Sequence, residues 1–96
     1  MTKYIVKATT IEGEHKGETY FLDKDGYVRE ADNHFNEDNT YTLSACKAAC
    51  TRKYKNNCQN VNIEKREREY REKHGKTNST YTIYEMASYE PYAVEV

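Results

Sequence analysis

The sequence is poor in large aliphatic side chains, which limits the core that it can build. Its 96 residues contain four Ile, five Val, two Leu and two Phe, and no Trp. So low a content is typical of disordered chains, but disorder also requires a high net charge and few aromatic residues. Here the net charge is −1, and ten Tyr are present. We therefore expect a single folded domain spanning residues 1–96, with a thin core in which Tyr replaces aliphatic side chains.

The sequence lacks the features that several functional classes of protein need. Four isolated Gly do not form a phosphate-binding loop. No apolar run approaches the length of a membrane span, and the first ten residues do not place a charged region before an apolar stretch. We therefore predict a cytoplasmic protein that has no secretory signal and no membrane partner.

The three cysteines are predicted to be reduced thiols, because their number is odd and no secretory signal precedes them. Cys46, Cys50 and Cys58 with His74 would make a Cys3His zinc set, but zinc sites usually open with closer, turn-based pairs. Free Cys packs readily in cores. We therefore predict that Cys46 and Cys50 are buried, metal-free and unpaired. No motif indicates catalysis, so we expect no enzyme, metal or cofactor.

The residue pattern predicts strands at both ends of the chain. Alternation in residues 3–11 places Tyr4, Val6 and Ala8 on one face of a strand. Two further short strands, 18–22 and 27–30, flank a turn at Asp23-Lys24-Asp25-Gly26, and this turn lacks the further oxygen ligands of a calcium loop. The C-terminal part predicts a strand over 80–87, a break at Pro91 and a short edge strand over 92–96.

The middle of the chain predicts one or two helices. Ser44 is a suitable N-cap for a helix over 45–56, which the pair Asn56-Asn57 would end. One face of this helix carries Ala45, Cys46, Ala49, Cys50 and Tyr54. Residues 60–63 fit a short strand or a helix entry, and residues 64–74 fit a helix with i,i+4 ion pairs or a solvated hairpin arm. The predicted fold is α+β: a small antiparallel β-sheet with one or two helices packed on one face.

Charge is distributed unevenly along the chain. Residues 1–43 carry five basic and nine acidic groups, residues 44–76 carry ten and four, and residues 77–96 carry none and three. The basic segment 44–76 either complements the acidic strands within the fold or binds an acidic protein, a nucleic acid or a nucleotide. The thin core is also compatible with a homodimer.

Four stretches span most of the chain: MTKYIVKATT, YFLDKDGYV, TLSACKAACTRK and YTIYEMASYEPYAVEV. Through them the chain resembles small accessory proteins of bacteriophages and prophages of Gram-positive hosts in size, composition and strand–helix–strand layout. The resemblance implies a non-enzymatic, phage-encoded inhibitor that binds a host protein in the host cytoplasm and blocks defence, in the manner of anti-CRISPR proteins. The alternatives are a sponge that sequesters a small nucleotide signal and an accessory protein that binds nucleic acid.

Interfaces concentrate binding energy in Tyr, Trp and Arg, and this chain offers Tyr and Arg. Tyr84 shares a predicted strand face with Met86, while Tyr89 and Tyr92 flank Pro91, where a fixed turn would present both rings. We predict binding residues among these three tyrosines and two arginines of the basic segment, Arg52 and Arg71. The alternative is that these tyrosines serve only to pack the sheet.

Overall fold

The computed structural model describes residues 1–28, 35–75 and 85–96. The predicted α+β class is confirmed: one long helix packs against a four-stranded antiparallel sheet. In chain order the elements are β1 (Thr2–Glu12), β2 (Thr19–Asp23), β3 (Gly26–Val28), a short 3-10 helix (Glu37–Asn39), α1 (Leu43–Lys73) and β4 (Met86–Glu95). No helix among the described residues is long and apolar enough to cross a membrane.

The strand β1 lies at the centre of the sheet, whose order is β3-β2-β1-β4. It pairs with β2 around Val6↔Leu22 and with β4 from Thr2↔Glu95 onwards. The two edges of the sheet therefore differ in length. One edge is the three-residue β3, and the other is the ten-residue β4.

The helix covers one face of the sheet with small side chains. Its buried residues Cys46, Ala49 and Cys50 form one cluster with Val6 of β1. The Cys46 thiol donates to the Ile5 carbonyl oxygen over 3.3 Å, and burial raises its pKa to about 12. The predicted burial of Cys46 and Cys50 is confirmed, and all three cysteines are free thiols. This close contact lets the helix lie near the backbone of the sheet.

The opposite face of the sheet holds a second apolar cluster around β1. Ile5 has 0% exposed surface. It is flanked on this face by Phe21 of β2 and Tyr92 of β4, whose ring centroids lie 4.9 Å apart at an interplanar angle of 60°. Because Val6 and Ile5 are both fully buried, the central strand is covered on both faces, as its composition predicts.

The predicted hairpin between β2 and β3 is confirmed, with its turn in place; residues 29 and 30 of the predicted second strand lie outside the described residues. The Asp23 carboxylate accepts hydrogen bonds from the backbone N–H groups of Asp25 at 2.8 Å and Gly26 at 3.0 Å. Gly26 has a φ of +126°, which a residue with a Cβ rarely adopts. The turn therefore depends on both the carboxylate and the glycine.

The helix α1 differs from the prediction at its start and in its length. Thr42, not Ser44, is the N-cap, and its hydroxyl accepts from the Ala45 N–H over 3.3 Å. The predicted stop at Asn56-Asn57 is wrong, as is the strand alternative for residues 60–63, because the helix continues to Lys73. The predicted helix over 64–74 is confirmed as far as Lys73, which excludes the hairpin arm.

Asn57 explains why the helix does not stop. Its side-chain NH2 donates to the Glu85 carbonyl over 2.8 Å, and its side-chain oxygen accepts from the Ala87 N–H over 2.9 Å. An Asn side chain that is occupied by a distant strand does not compete for its own helix backbone. The tertiary contact therefore overrides the local preference.

The predicted break at Pro91 is also wrong, since Pro91 lies inside β4 and pairs with Val6 of β1. A proline is tolerated in an edge strand when its missing N–H faces away from the ladder. Of the strand predicted over 80–87, the last two residues belong to β4 and residue 85 precedes it. The remainder, residues 80–84, lies outside the described residues.

Candidate functional site

The four predicted binding residues that the structure describes do not form one surface. Tyr84 lies outside the described residues. Tyr89 packs beside the core on the helix-covered face, whereas Tyr92 lies on the opposite face against Phe21. The fixed turn that was expected to present both rings is absent from β4, because Pro91 continues the strand.

The two arginines are also far apart. Arg52 lies in the first half of α1, and Arg71 lies near its end. They are 19 positions apart along the helix, which corresponds to about 28 Å at about 1.5 Å per residue. A binding role for any of the five residues stays a prediction.

The outer edge of β4 is the most prominent unpaired element among the described residues. The backbone hydrogen bonds of β1 show which residues direct their N–H and C=O groups away from β4. The Tyr4 N–H donates to the Tyr41 carbonyl oxygen, and the Thr10 N–H donates to the Glu18 carbonyl oxygen, each over 2.9 Å. In an antiparallel pair, the β4 residues opposite these positions direct their own N–H and C=O outwards. They are Ala87, Tyr89, Pro91, Ala93 and Glu95.

Some of the outward backbone positions on this edge cannot donate to a further strand, and others can. The Ala87 N–H is taken by the Asn57 side chain, and Pro91 has no N–H. In the part of the chain that the structure describes, no strand or side chain pairs with the outward N–H and C=O groups of Tyr89 and Ala93. These two residues flank Pro91 and form the two open hydrogen-bonding positions in the middle of the edge, while the outward-facing Glu95 lies at its end.

An apolar groove of about 420 Å³ runs beside the open edge, between α1 and β4. We call it the β4 groove; it is lined by Lys47, Cys50, Thr51, Tyr54, Ser88, Tyr89 and Pro91. Tyr54 was expected on the buried helix face, but it is 46% exposed at the rim of the groove. Burial and the neighbouring Tyr20 hydroxyl raise the pKa of Tyr89, which therefore keeps its proton at neutral pH.

The helix beside the groove is positively charged. Residues 43–63 contain Lys47, Arg52, Lys53 and Lys55 and no acidic residue. Lys47 is the charged residue in the lining of the β4 groove. An acidic group on a bound segment would therefore be attracted to this side of the molecule.

Of the residues that form this site, Tyr89 was among the predicted binding residues, whereas Tyr54, Asn57 and Ala93 were not. Tyr54 and Asn57 each lie next to residues that are distant in sequence, and no local pattern signals those contacts. Pro91 was the available signal, because a proline within a strand pattern indicates an edge strand. No group of three or more His, Cys, Asp or Glu among residues 1–28, 35–75 and 85–96 is arranged to hold a metal ion.

The chain was compared with models of protein families, with curated proteins and with solved structures, and none of them matches it. A proposal for its function is therefore based on the geometry of the chain itself. That geometry combines two open backbone positions, an adjacent apolar groove and a basic helix face.

Proposed function

We propose that this chain is a non-enzymatic protein-binding module that accepts an extended segment of a partner protein along the outer edge of β4. The carrying observation is the pair of open backbone positions at Tyr89 and Ala93 beside the β4 groove. Strand addition of this kind obtains affinity from main-chain hydrogen bonds and specificity from pockets for alternate side chains.

The lining of the groove defines the chemistry of the segment that would bind. Tyr54, Tyr89 and Pro91 offer apolar surface to one side chain that points towards the helix. Lys47 and the other basic residues of 43–63 favour an acidic residue next to it. The preferred occupant is therefore an extended segment in which apolar and acidic residues alternate.

The resemblance to phage accessory proteins supports a further step of the same proposal. On that basis the partner is a host protein, and occupation of its segment inhibits it by occlusion, as an anti-CRISPR protein would. The geometry supports strand addition, and the resemblance supports the identity of the partner. A nucleotide or nucleic acid on the basic segment 44–76, and a second copy of the chain on β4, are competing outcomes of the test.

The test uses two capped peptides, one alternating Val with Glu and the other alternating Val with Lys. We expect the Glu peptide to slow amide hydrogen exchange at Tyr89 and Ala93, because it would pair with both. We expect the Lys peptide to bind at least about fivefold more weakly, because it meets the basic side of the groove.

A matched pair of variants isolates the backbone contribution. Ala93→Pro removes the outward N–H without removing a β1–β4 hydrogen bond, and Ala93→Thr keeps that N–H. We expect Ala93→Pro to abolish measurable peptide binding and Ala93→Thr to retain it, with circular dichroism showing that both remain folded. Equal binding by the two variants would contradict strand addition.

The same samples distinguish the competing outcomes. Binding of an oligonucleotide or a nucleotide with a steep salt dependence and with shifts along α1 would favour the nucleic-acid or sponge alternative. A dimer mass in light scattering that Ala93→Pro converts to a monomer mass would assign the edge to a second copy of the chain.

A further inference from the structure

A second cavity, of about 530 Å³, lies at the end of the sheet where β4 begins. Residues from all four strands, the β1–β2 loop and α1, together with Glu85, surround it. Those that matter for its chemistry are Thr10, His15, Glu18, Tyr20, Tyr27 and Glu85. We call it the tyrosine–glutamate cavity. It does not include the open edge residues Tyr89 and Ala93.

The charge of this cavity is negative. Two carboxylates line it, those of Glu18 and Glu85, and no Lys or Arg does. Glu85 is engaged by His15, whose ring Nδ1 contacts one carboxylate oxygen and whose backbone N–H donates to the other over 2.8 Å. The Glu18 carboxylate has no hydrogen bond or ion pair among the described residues. Whether His15 is neutral or protonated, the lining keeps a net negative charge.

Two tyrosine rings supply the aromatic wall. The ring centroids of Tyr20 and Tyr27 lie 6.4 Å apart with an interplanar angle of 38°, and Tyr27 is 67% exposed. Ring faces attract organic cations through their quadrupole. Tilted rings of this kind suit a compact cation better than a flat base, and the negative charge disfavours a phosphate.

One hydroxyl in the lining has no protein partner among the described residues. Thr10 is 7% exposed and lines the cavity. Its hydroxyl makes no hydrogen bond within the described ranges, although its backbone is fully engaged in the sheet. This oxygen is open to the cavity. A ligand that carries N–H groups can donate to it.

We propose that the tyrosine–glutamate cavity binds an organic cation, an alkylammonium or guanidinium group. Its N–H groups donate to the free Glu18 carboxylate and the Thr10 hydroxyl, and its alkyl part lies against Tyr20 and Tyr27. The cation is either a free amine or the side chain of a Lys or Arg of another protein, since both present the same group. This inference does not depend on strand addition at β4.

The test is a titration followed by amide and tyrosine-ring chemical shifts, with n-butylammonium as the probe. n-Butanol and butyrate match it in shape and differ in charge. We expect saturable shifts at the cavity residues with n-butylammonium at millimolar concentration. We expect weaker shifts with butanol and none with butyrate. N-acetyl-lysine methylamide binding more tightly than n-butylammonium would identify a protein side chain as the source, and weaker binding would identify a free amine.

Three variants locate the site. Glu18→Gln removes the free carboxylate, and we expect it to weaken n-butylammonium binding about three- to tenfold. Tyr27→Ala removes an exposed ring, and we expect a loss of about two- to fivefold. Glu69→Gln is the control, because Glu69 is exposed on α1 and does not line the cavity, and it should leave affinity unchanged.

The proposal would be overturned by any of three results. One is equal binding of butanol and n-butylammonium, which would mean that only an apolar contact is made. Another is an unchanged affinity in folded Glu18→Gln. The last is the absence of shifts with every cationic probe. Because the readout is at the cavity residues, none of these results bears on peptide binding at β4.

Discussion

The two halves of α1 are helical for different reasons. Residues 43–58 bury Cys46, Ala49 and Cys50 against the sheet. Residues 59–73 bury Val61 and Glu64, expose Ile63 and Tyr70 by 52% and 58%, and carry most of the charges of the helix. Short helices in water are marginal without packing. The first half is therefore stabilised mainly by contact with the sheet. The exposed positions of the second half rely on helix propensity and on i,i+4 pairs, of which Glu64–Arg68, with atoms 2.9 Å apart, is itself largely buried.

The boundary between the two halves shows that the local sequence pattern does not predict where the helix ends. Asn56 and Asn57 together are a reasonable helix stop, yet the helix passes through both. Asn56 is exposed, while Asn57 turns to the sheet and binds the backbone at Glu85 and Ala87. Two identical neighbours thus have different roles, which only their tertiary surroundings distinguish.

We expect the largest loss of stability when a charged side chain replaces a buried residue in the first half of α1. Ala49 is 2% exposed, so Ala49→Asp would bury a carboxylate without a partner, and we expect a loss of about 3–5 kcal/mol of unfolding free energy. Ala48→Asp places the same residue on the exposed side of the same turn and should cost less than about 1 kcal/mol. Urea denaturation followed by circular dichroism measures both. Similar losses would show that this half does not depend on packing.

The boundary itself is tested by the two asparagines. Asn57→Ala leaves the Glu85 carbonyl and the Ala87 N–H without their partner, and we expect a loss of about 1–3 kcal/mol. Asn56→Ala should be neutral or slightly stabilising, because Ala has the higher helix propensity. Equal effects in urea denaturation would contradict the tertiary role of Asn57.

The start of β4 is also held by a charged contact, and this contact makes stability depend on pH. The hydrogen bond with Glu85 raises the pKa of His15, and the same bond lowers the pKa of Glu85. The His15 contribution is complete below its unfolded pKa of about 6.5 and disappears as the pH rises through its raised folded value. The Glu85 contribution is complete above its unfolded pKa of about 4.3 and disappears as the pH falls through its lowered folded value.

We therefore expect the stability difference between the natural chain and Glu85→Gln to be largest between about pH 4.3 and 6.5. It should shrink on both sides of that window. Thermal unfolding across this pH range measures it, with Glu69→Gln, an exposed carboxylate on α1, as the control. A difference that rises steadily above pH 7 would contradict the assigned pair.

The smallest effect is expected in the second half of the helix. Tyr70 stacks on His74 with ring centroids 4.1 Å apart, but it remains 58% exposed. Tyr70→Ala loses this contact and gains helix propensity, so we expect a change within about 0.5 kcal/mol in urea denaturation. A loss as large as that of Asn57→Ala would mean that both halves depend on packing equally.

The features that the sequence predicted correctly are those with a short-range cause. The alternation of residues 3–11 identified a strand, Asp23 and Gly26 identified the turn, and charge spacing identified the helix over 64–73. Each of these depends on residues a few positions apart. The continuity of α1 depends on Asn57 meeting residues 28 and 30 positions away, which periodicity does not encode.

The candidate site was less accessible from the sequence. Tyr89 and Tyr92 are three positions apart, and in a strand an odd separation places them on opposite faces. Because a turn was predicted at Pro91, the placement of Tyr89 and Tyr92 on opposite faces was not predicted. The open positions at Tyr89 and Ala93 depend on strand order and on which pairs are hydrogen-bonded, and neither can be read from one segment alone.

Pro91 has a further consequence for how the protein behaves at high concentration. A long edge strand is a template for growth into cross-β aggregates, in which every backbone group pairs with the next chain. On β4 the outward ladder lacks a donor at Pro91, and Asn57 already occupies the Ala87 N–H. A second strand therefore meets short stretches of pairing in place of a continuous ladder. We therefore expect the edge to be a poor seed for fibril growth.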